Sequence, residues 1–74
     1  MRKDYCEKDG ISITYSDDNV CFEDVNTAEA IVFSNDGTVP INNFDEARTQ
    51  AFKDWYDRIY PTILYFRSLD RLEV

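Results

Sequence analysis

The sequence predicts an α+β fold, a small antiparallel β-meander of three to five strands with one long C-terminal helix packed on one face. Two observations predict it. Apolar residues recur at helical spacing between residues 44 and 72, and before them short β-branched and aromatic runs alternate with turn signals. Strands that come first and a helix that comes last are typical of this class. The 74 residues, 1–74, are expected to form a single domain.

The predicted helix covers residues 44–72. Asn43 is expected to cap its N-terminus, and Glu46, three residues on, would complete a capping box. Pro61 leaves two alternatives open: a kink in one helix, or a helix that stops near Ile59 and a second that begins with Pro61. The predicted apolar face of the helix is formed by Phe52, Trp55, Tyr56, Ile59, Ile63 and Phe66, and Phe44, Ala51 and Leu69 extend it.

Strands are predicted at residues 11–16, 20–25 and 30–34, with a short return at 38–41 that Pro40 confines to an edge. Asp9-Gly10 predicts a tight turn. Residues 26–29 fit either a hairpin loop or the first turn of a short helix, and residues 1–9 fit either an edge strand or a loose terminus. The side chains expected beneath the helix are Ile11, Ile13, Tyr15, Val20, Phe22 and Phe33.

The composition argues against catalysis and against a cofactor or metal. The chain has no histidine, no glycine-rich phosphate loop and no calcium-loop spacing. Its two cysteines, Cys6 and Cys21, would lie about two interstrand spacings (~9.6 Å) apart, too far for a disulfide. We expect them to be small reduced residues in or near the core. No apolar run could span a bilayer and no signal peptide is visible, so a cytoplasmic location is expected.

Acidic residues dominate the first two thirds of the chain. The net charge is −7, and between residues 9 and 47 there are nine acids and no lysine or arginine. Carboxylates fixed on turns and a strand could imitate a phosphate backbone and occupy a basic groove of a nucleic-acid-binding protein. The same charge disfavours direct binding of nucleic acid. The residues predicted to carry this binding are Asp17, Asp18, Glu23, Asp24, Glu29 and Asp36.

In size, charge and layout the chain resembles phage-encoded inhibitors of host machinery, anti-CRISPR proteins among them. The resemblance implies a non-enzymatic inhibitor that acts in the cytoplasm of a host cell by docking on a basic protein surface.

A second hypothesis comes from the helix. Tyr60, Leu64 and Tyr65 fall off its main apolar face, so in a continuous helix they would meet water or a partner, whereas a kink could rotate them back onto the sheet. Together with Phe66 they could form the interface of a homodimer, which would make the chain a structural or oligomerisation subunit.

Overall fold

The computed structural model describes residues 2–72 and confirms the predicted fold class. A five-stranded antiparallel sheet has the strand order β1-β2-β3-β4-β5, and one helix packs against it. The elements are β1 (Lys3–Lys8), β2 (Ile11–Tyr15), β3 (Asn19–Asp24), β4 (Ala30–Ser34), β5 (Ile41–Asn42) and α1 (Glu46–Leu72).

The structure resolves the alternatives at the sheet connections. The N-terminal segment is the edge strand β1, joined to β2 by a two-residue turn in which Asp9 and Gly10 have φ angles of 53° and 78°. Positive φ at both positions matches the twist of a tight hairpin. Residues 25–29 form a hairpin loop rather than a helix, because Asp24 N–H donates a 2.8 Å bond to the Glu29 carbonyl across the loop, and the φ of 64° at Ala28 is not helical.

The last strand is shorter and later than predicted. Only Ile41 and Asn42 pair with β4, opposite Val32 and Ile31. Pro40 lacks an N–H group and cannot contribute a donor to the ladder, so pairing begins after it. The prediction of a return strand at residues 38–41 was therefore wrong in its bounds.

Phe22 lies at the centre of the core. Its ring centroid is 5.7 Å from that of Phe33, 5.6 Å from that of Phe52 and 5.3 Å from that of Trp55. All six sheet residues predicted to face the helix are buried, and Ile31, which was not predicted, joins them. The core therefore ties β2, β3 and β4 to one helix face.

The helix begins at Glu46, and Asp45 caps it. The Asp45 side chain accepts a 2.8 Å bond from Arg48 N–H, the bond of an N-cap residue. The predicted cap, Asn43, was wrong, because the Asn43 side chain accepts a bond from Ala30 N–H and so holds the connection to β4.

Pro61 does not split the helix, which runs from Glu46 to Leu72. Pro61 itself is exposed, as is Asp57, whose carbonyl loses its helical donor. Water can satisfy that carbonyl on the exposed side, so the helix continues.

The sheet face opposite the helix is not covered by any element in the described chain. Thr14, Cys21 and Val32 are cross-strand neighbours on this face. Cys21 is free and half-buried there, and Cys6 is free and exposed on the edge strand, so the expectation of a place in or near the core was wrong for Cys6. No helix in residues 2–72 is long and apolar enough to cross a membrane.

Candidate functional site

The backbone carbonyls of the turn between β2 and β3 accept hydrogen bonds from other parts of the chain. The carbonyl of Asp17 accepts a 2.6 Å bond from the Asn35 side chain, and that of Asp18 accepts a 3.0 Å bond from Asn35 N–H. Asn35 belongs to the β4–β5 connection, so these bonds join the two turns at one end of the sheet. We call this end the acidic turn end and define it by the carboxylates of Asp17, Asp18 and Asp36.

Arg67 holds the same turn from the helix side. Its Nε donates a 2.8 Å bond to the Ser16 carbonyl, and its Nη2 donates a 3.3 Å bond to the Asn19 carbonyl. The Asn19 carbonyl also closes the hairpin by accepting from Ser16 N–H. All four successive carbonyls from residue 16 to residue 19 thus accept bonds from the protein, and the backbone of the turn is fixed.

Arg2 supports the turn from the uncovered face of the sheet. Its guanidinium donates to the Thr14 hydroxyl, to the Thr14 carbonyl and to the side-chain oxygen of Asn19. Arg2 and Arg67 therefore contact the chain on either side of the Asp17-Asp18 pair from opposite faces, and neither forms an ion pair with those two aspartates.

Asp36 occupies the neighbouring turn. Its carboxylate accepts a 2.6 Å bond from the Thr38 hydroxyl and a 3.0 Å bond from Thr38 N–H. These bonds hold the pKa of Asp36 below its ordinary value, so the carboxylate is ionised near neutral pH. Within residues 2–72, no lysine or arginine nitrogen lies within 4.0 Å of the three carboxylates of the acidic turn end.

The other predicted acids lie at the opposite end of the sheet. Arg48 contacts Asp24 at 3.2 Å and Glu29 at 3.9 Å, and we call this the paired end. The bond from Asn26 N–H, followed by the one from Arg48, lowers the pKa of Asp24. Glu23 is exposed on the uncovered face, where it lies between Ser12 and Ala30 in the strand register. The six predicted acids are therefore brought together as three and three, not as one row.

The helix residues proposed for an interface do not lie together on one surface. At about 100° per residue, Tyr65 lies about 100° around the helix from Leu64. Tyr60 is half-buried, with its ring 5.1 Å from Tyr56. Phe66 is half-buried and packs on Tyr5 and Tyr15 at the margin of the core, as its predicted place on the apolar helix face requires, and its part in a contact surface stays a prediction.

An exposed apolar stripe does exist on the C-terminal half of the helix. Tyr65, Leu69 and Leu72 follow i, i+4, i+7 spacing and are 61%, 38% and 78% exposed. Leu64, 47% exposed, lies about 100° around the helix from Tyr65 and so outside this stripe. The helical spacing singled out Tyr65 and Leu64 for a contact surface, placed Leu69 with the core-facing residues and did not single out Leu72.

Asp70, near the helix C-terminus, lies beside the acidic turn end and lines one pocket with Asp17. Its carboxylate accepts a 2.9 Å bond from Lys3 and a 3.1 Å bond from the Tyr15 hydroxyl. The bond from Lys3, followed by that from Tyr15, lowers the pKa of Asp70. Burial and the bond to Asp70 raise the pKa of the Tyr15 phenol.

No family model, no curated protein and no solved structure matches the chain. Among residues 2–72, no group of three or more histidine, cysteine or acidic side chains could hold a metal ion.

Proposed function

We propose that this chain is a non-enzymatic binding protein that docks its acidic turn end on a basic surface of a partner protein. The partner we propose is a protein that handles nucleic acid, and the role is inhibition, as in the phage-encoded inhibitors that the chain resembles. One observation carries the proposal: two adjacent turns are fixed to each other by Asn35, while among the described residues no lysine or arginine nitrogen lies within 4.0 Å of their three carboxylates.

The geometry favours recognition by charge. The β2–β3 and β4–β5 turns leave the same end of the sheet about two interstrand spacings (~9.6 Å) apart. A nucleic-acid backbone also presents fixed negative charges at intervals of a few ångströms. Because the turns are already ordered, little conformational entropy is lost when a basic partner binds.

The test compares the two ends of the sheet at equal charge. One immobilised variant carries Asp17→Asn, Asp18→Asn and Asp36→Asn, and the matched control carries Glu23→Gln, Asp24→Asn and Glu29→Gln. Capture from cell lysate, with mass spectrometry of the bound proteins, is repeated at two salt concentrations and with duplex DNA as competitor.

We expect the wild type and the control to capture the same basic protein, to lose it at high salt, and to release it to DNA. The acidic turn variant should capture none of it. Equal capture by all three chains would contradict the proposal.

The exposed stripe of Tyr65, Leu69 and Leu72 favours a second candidate function, a structural subunit that pairs with a second copy of itself. Leu69→Asp should then abolish a dimer that persists at high salt. Ser68→Asp adds the same charge at an adjacent exposed position and should leave it intact. Sedimentation at two salt concentrations makes the measurement, and a wild-type monomer at all concentrations would exclude this function.

A further inference from the structure

Arg67 is a buried cation whose bonding partners are neutral. Its exposed fraction is 3%, and within residues 2–72 no carboxylate lies within 4.0 Å of its guanidinium. Its donors instead bond to the carbonyls of Ser16 and Asn19. Arginine is rarely buried without a paired acid, because removing its charge from water is costly. The position of this side chain therefore requires an explanation.

The two carbonyls that Arg67 contacts stand immediately before and after Asp17 and Asp18. A guanidinium presents its donors in a rigid planar fork, so one side chain can fix two acceptors at a set separation. Lysine carries the same charge as a single point and cannot reproduce that fork. Arg67 thus connects the C-terminal half of the helix to both ends of the acidic dipeptide.

We infer that Arg67 is a positioning residue for the acidic turn end: it draws the turn carbonyls inward and so leaves the Asp17 and Asp18 carboxylates facing outward. This inference rests on the proposed function. It also opposes the simplest electrostatic expectation. A positive charge beneath an acidic surface should repel a basic partner, so charge alone predicts that removing Arg67 tightens binding.

The experiment distinguishes the two expectations, because they predict opposite changes in the affinity for a basic ligand. Binding of a hexa-arginine peptide to the full chain is measured by calorimetry at low salt for the wild type, Arg67→Met and Arg67→Lys. Arg67→Met makes the net charge one unit more negative than −7. We nevertheless expect its affinity to fall roughly three- to fivefold, the scale of a lost charge contact at an exposed surface. The affinity of Arg67→Lys should lie between those of the wild type and Arg67→Met.

Unchanged or tighter binding by folded Arg67→Met would overturn the inference. If that variant does not fold, Arg67→Lys decides: weaker binding supports positioning, and wild-type affinity overturns it. If the wild type and the Asp17, Asp18, Asp36 variant bind the peptide equally, the proposed function fails. Amide hydrogen exchange at residues 16–19 then tests positioning alone: faster exchange in the Arg67 variants supports it, and unchanged exchange overturns it.

Discussion

The two ends of the sheet contain similar residues but present different charge. At the paired end, Arg48 reaches the carboxylates of Asp24 and Glu29. At the acidic turn end, Arg67 reaches backbone carbonyls, and among the described residues the carboxylates of Asp17 and Asp18 have no lysine or arginine nitrogen within 4.0 Å. An arginine near two acids therefore neutralises them or only holds their backbone, depending on which oxygen it contacts.

This difference shows why a charge count along the chain does not describe a surface. Nine acids without a base between residues 9 and 47 suggest one negative region. Arg48, just outside that stretch, removes part of it by folding back onto the loop after β3. What remains exposed and unpaired is decided by tertiary contacts.

The largest expected effect tests whether the two ends share one core. Phe52 is buried in the first half of the helix and touches Phe22, Phe44 and Trp55. Phe52→Ala should lower the free energy of unfolding by about 3–5 kcal/mol, since it removes a ring and leaves a cavity. Urea unfolding followed by Trp55 fluorescence and by circular dichroism measures this.

Coincident transitions by the two probes would show that both ends unfold together, whereas separate transitions would show that the ends are independent units. Leu64→Ala, at an exposed position, is the control and should change stability by less than about 0.5 kcal/mol.

Much of the fold could be predicted because it depends on local periodicity. The alternation in β2 and β3 fixes which side chains are buried, and the i, i+3, i+4 spacing of the helix fixes the face that covers them. The N-cap of the helix was harder to predict, since Asn43 and Asp45 are both good cap residues and lie two positions apart. Only the competing bond from Ala30 N–H to Asn43 decides between them.

The candidate site was predicted less completely. In a meander, successive connections lie at alternate ends of the sheet, so the separation of Asp17 from Asp24 could have been deduced from the strand order. The role of Arg67 could not. On the sequence it resembles any arginine near a helix C-terminus, and its acceptors lie 51 and 48 positions away.

A smaller effect is expected from the helix cap at the paired end. Asp45→Ala removes the acceptor for Arg48 N–H and should cost about 0.5–2 kcal/mol of stability. Asp45→Asn is the matched control, because asparagine caps nearly as well, and it should restore most of the loss. Thermal unfolding of both variants makes the comparison. Equal losses would mean that the charge of Asp45, rather than its bond, stabilises the helix.

The smallest expected effect is on the pH dependence of stability. Both ends should respond to acid, whereas alkali should act at the acidic turn end. Asp24 at the paired end, Asp36 at the acidic turn end and Asp70 near the helix C-terminus have lowered pKa values. Their contribution to stability is present above the pKa of an unfolded aspartate, about 4, and is lost as the pH falls through the folded values. Acid should therefore weaken both ends.

Alkali should act at the acidic turn end. Burial raises the pKa of Tyr15, which bonds to Asp70, and of Tyr56, which stacks on Phe33. A phenol with a raised pKa contributes stability below its unfolded pKa of about 10, and that stability is lost as the pH rises through the folded value.

Melting temperatures measured between pH 8 and pH 12 should therefore fall less steeply for Tyr15→Phe than for the wild type. Tyr15→Phe should also be somewhat less stable at pH 8, because it loses the bond to Asp70. Tyr65→Phe removes a phenol from an exposed side chain and should follow the wild type. If Tyr15→Phe and the wild type fall in parallel, ionisation of Tyr15 does not limit stability in alkali, and the two ends do not differ in this respect.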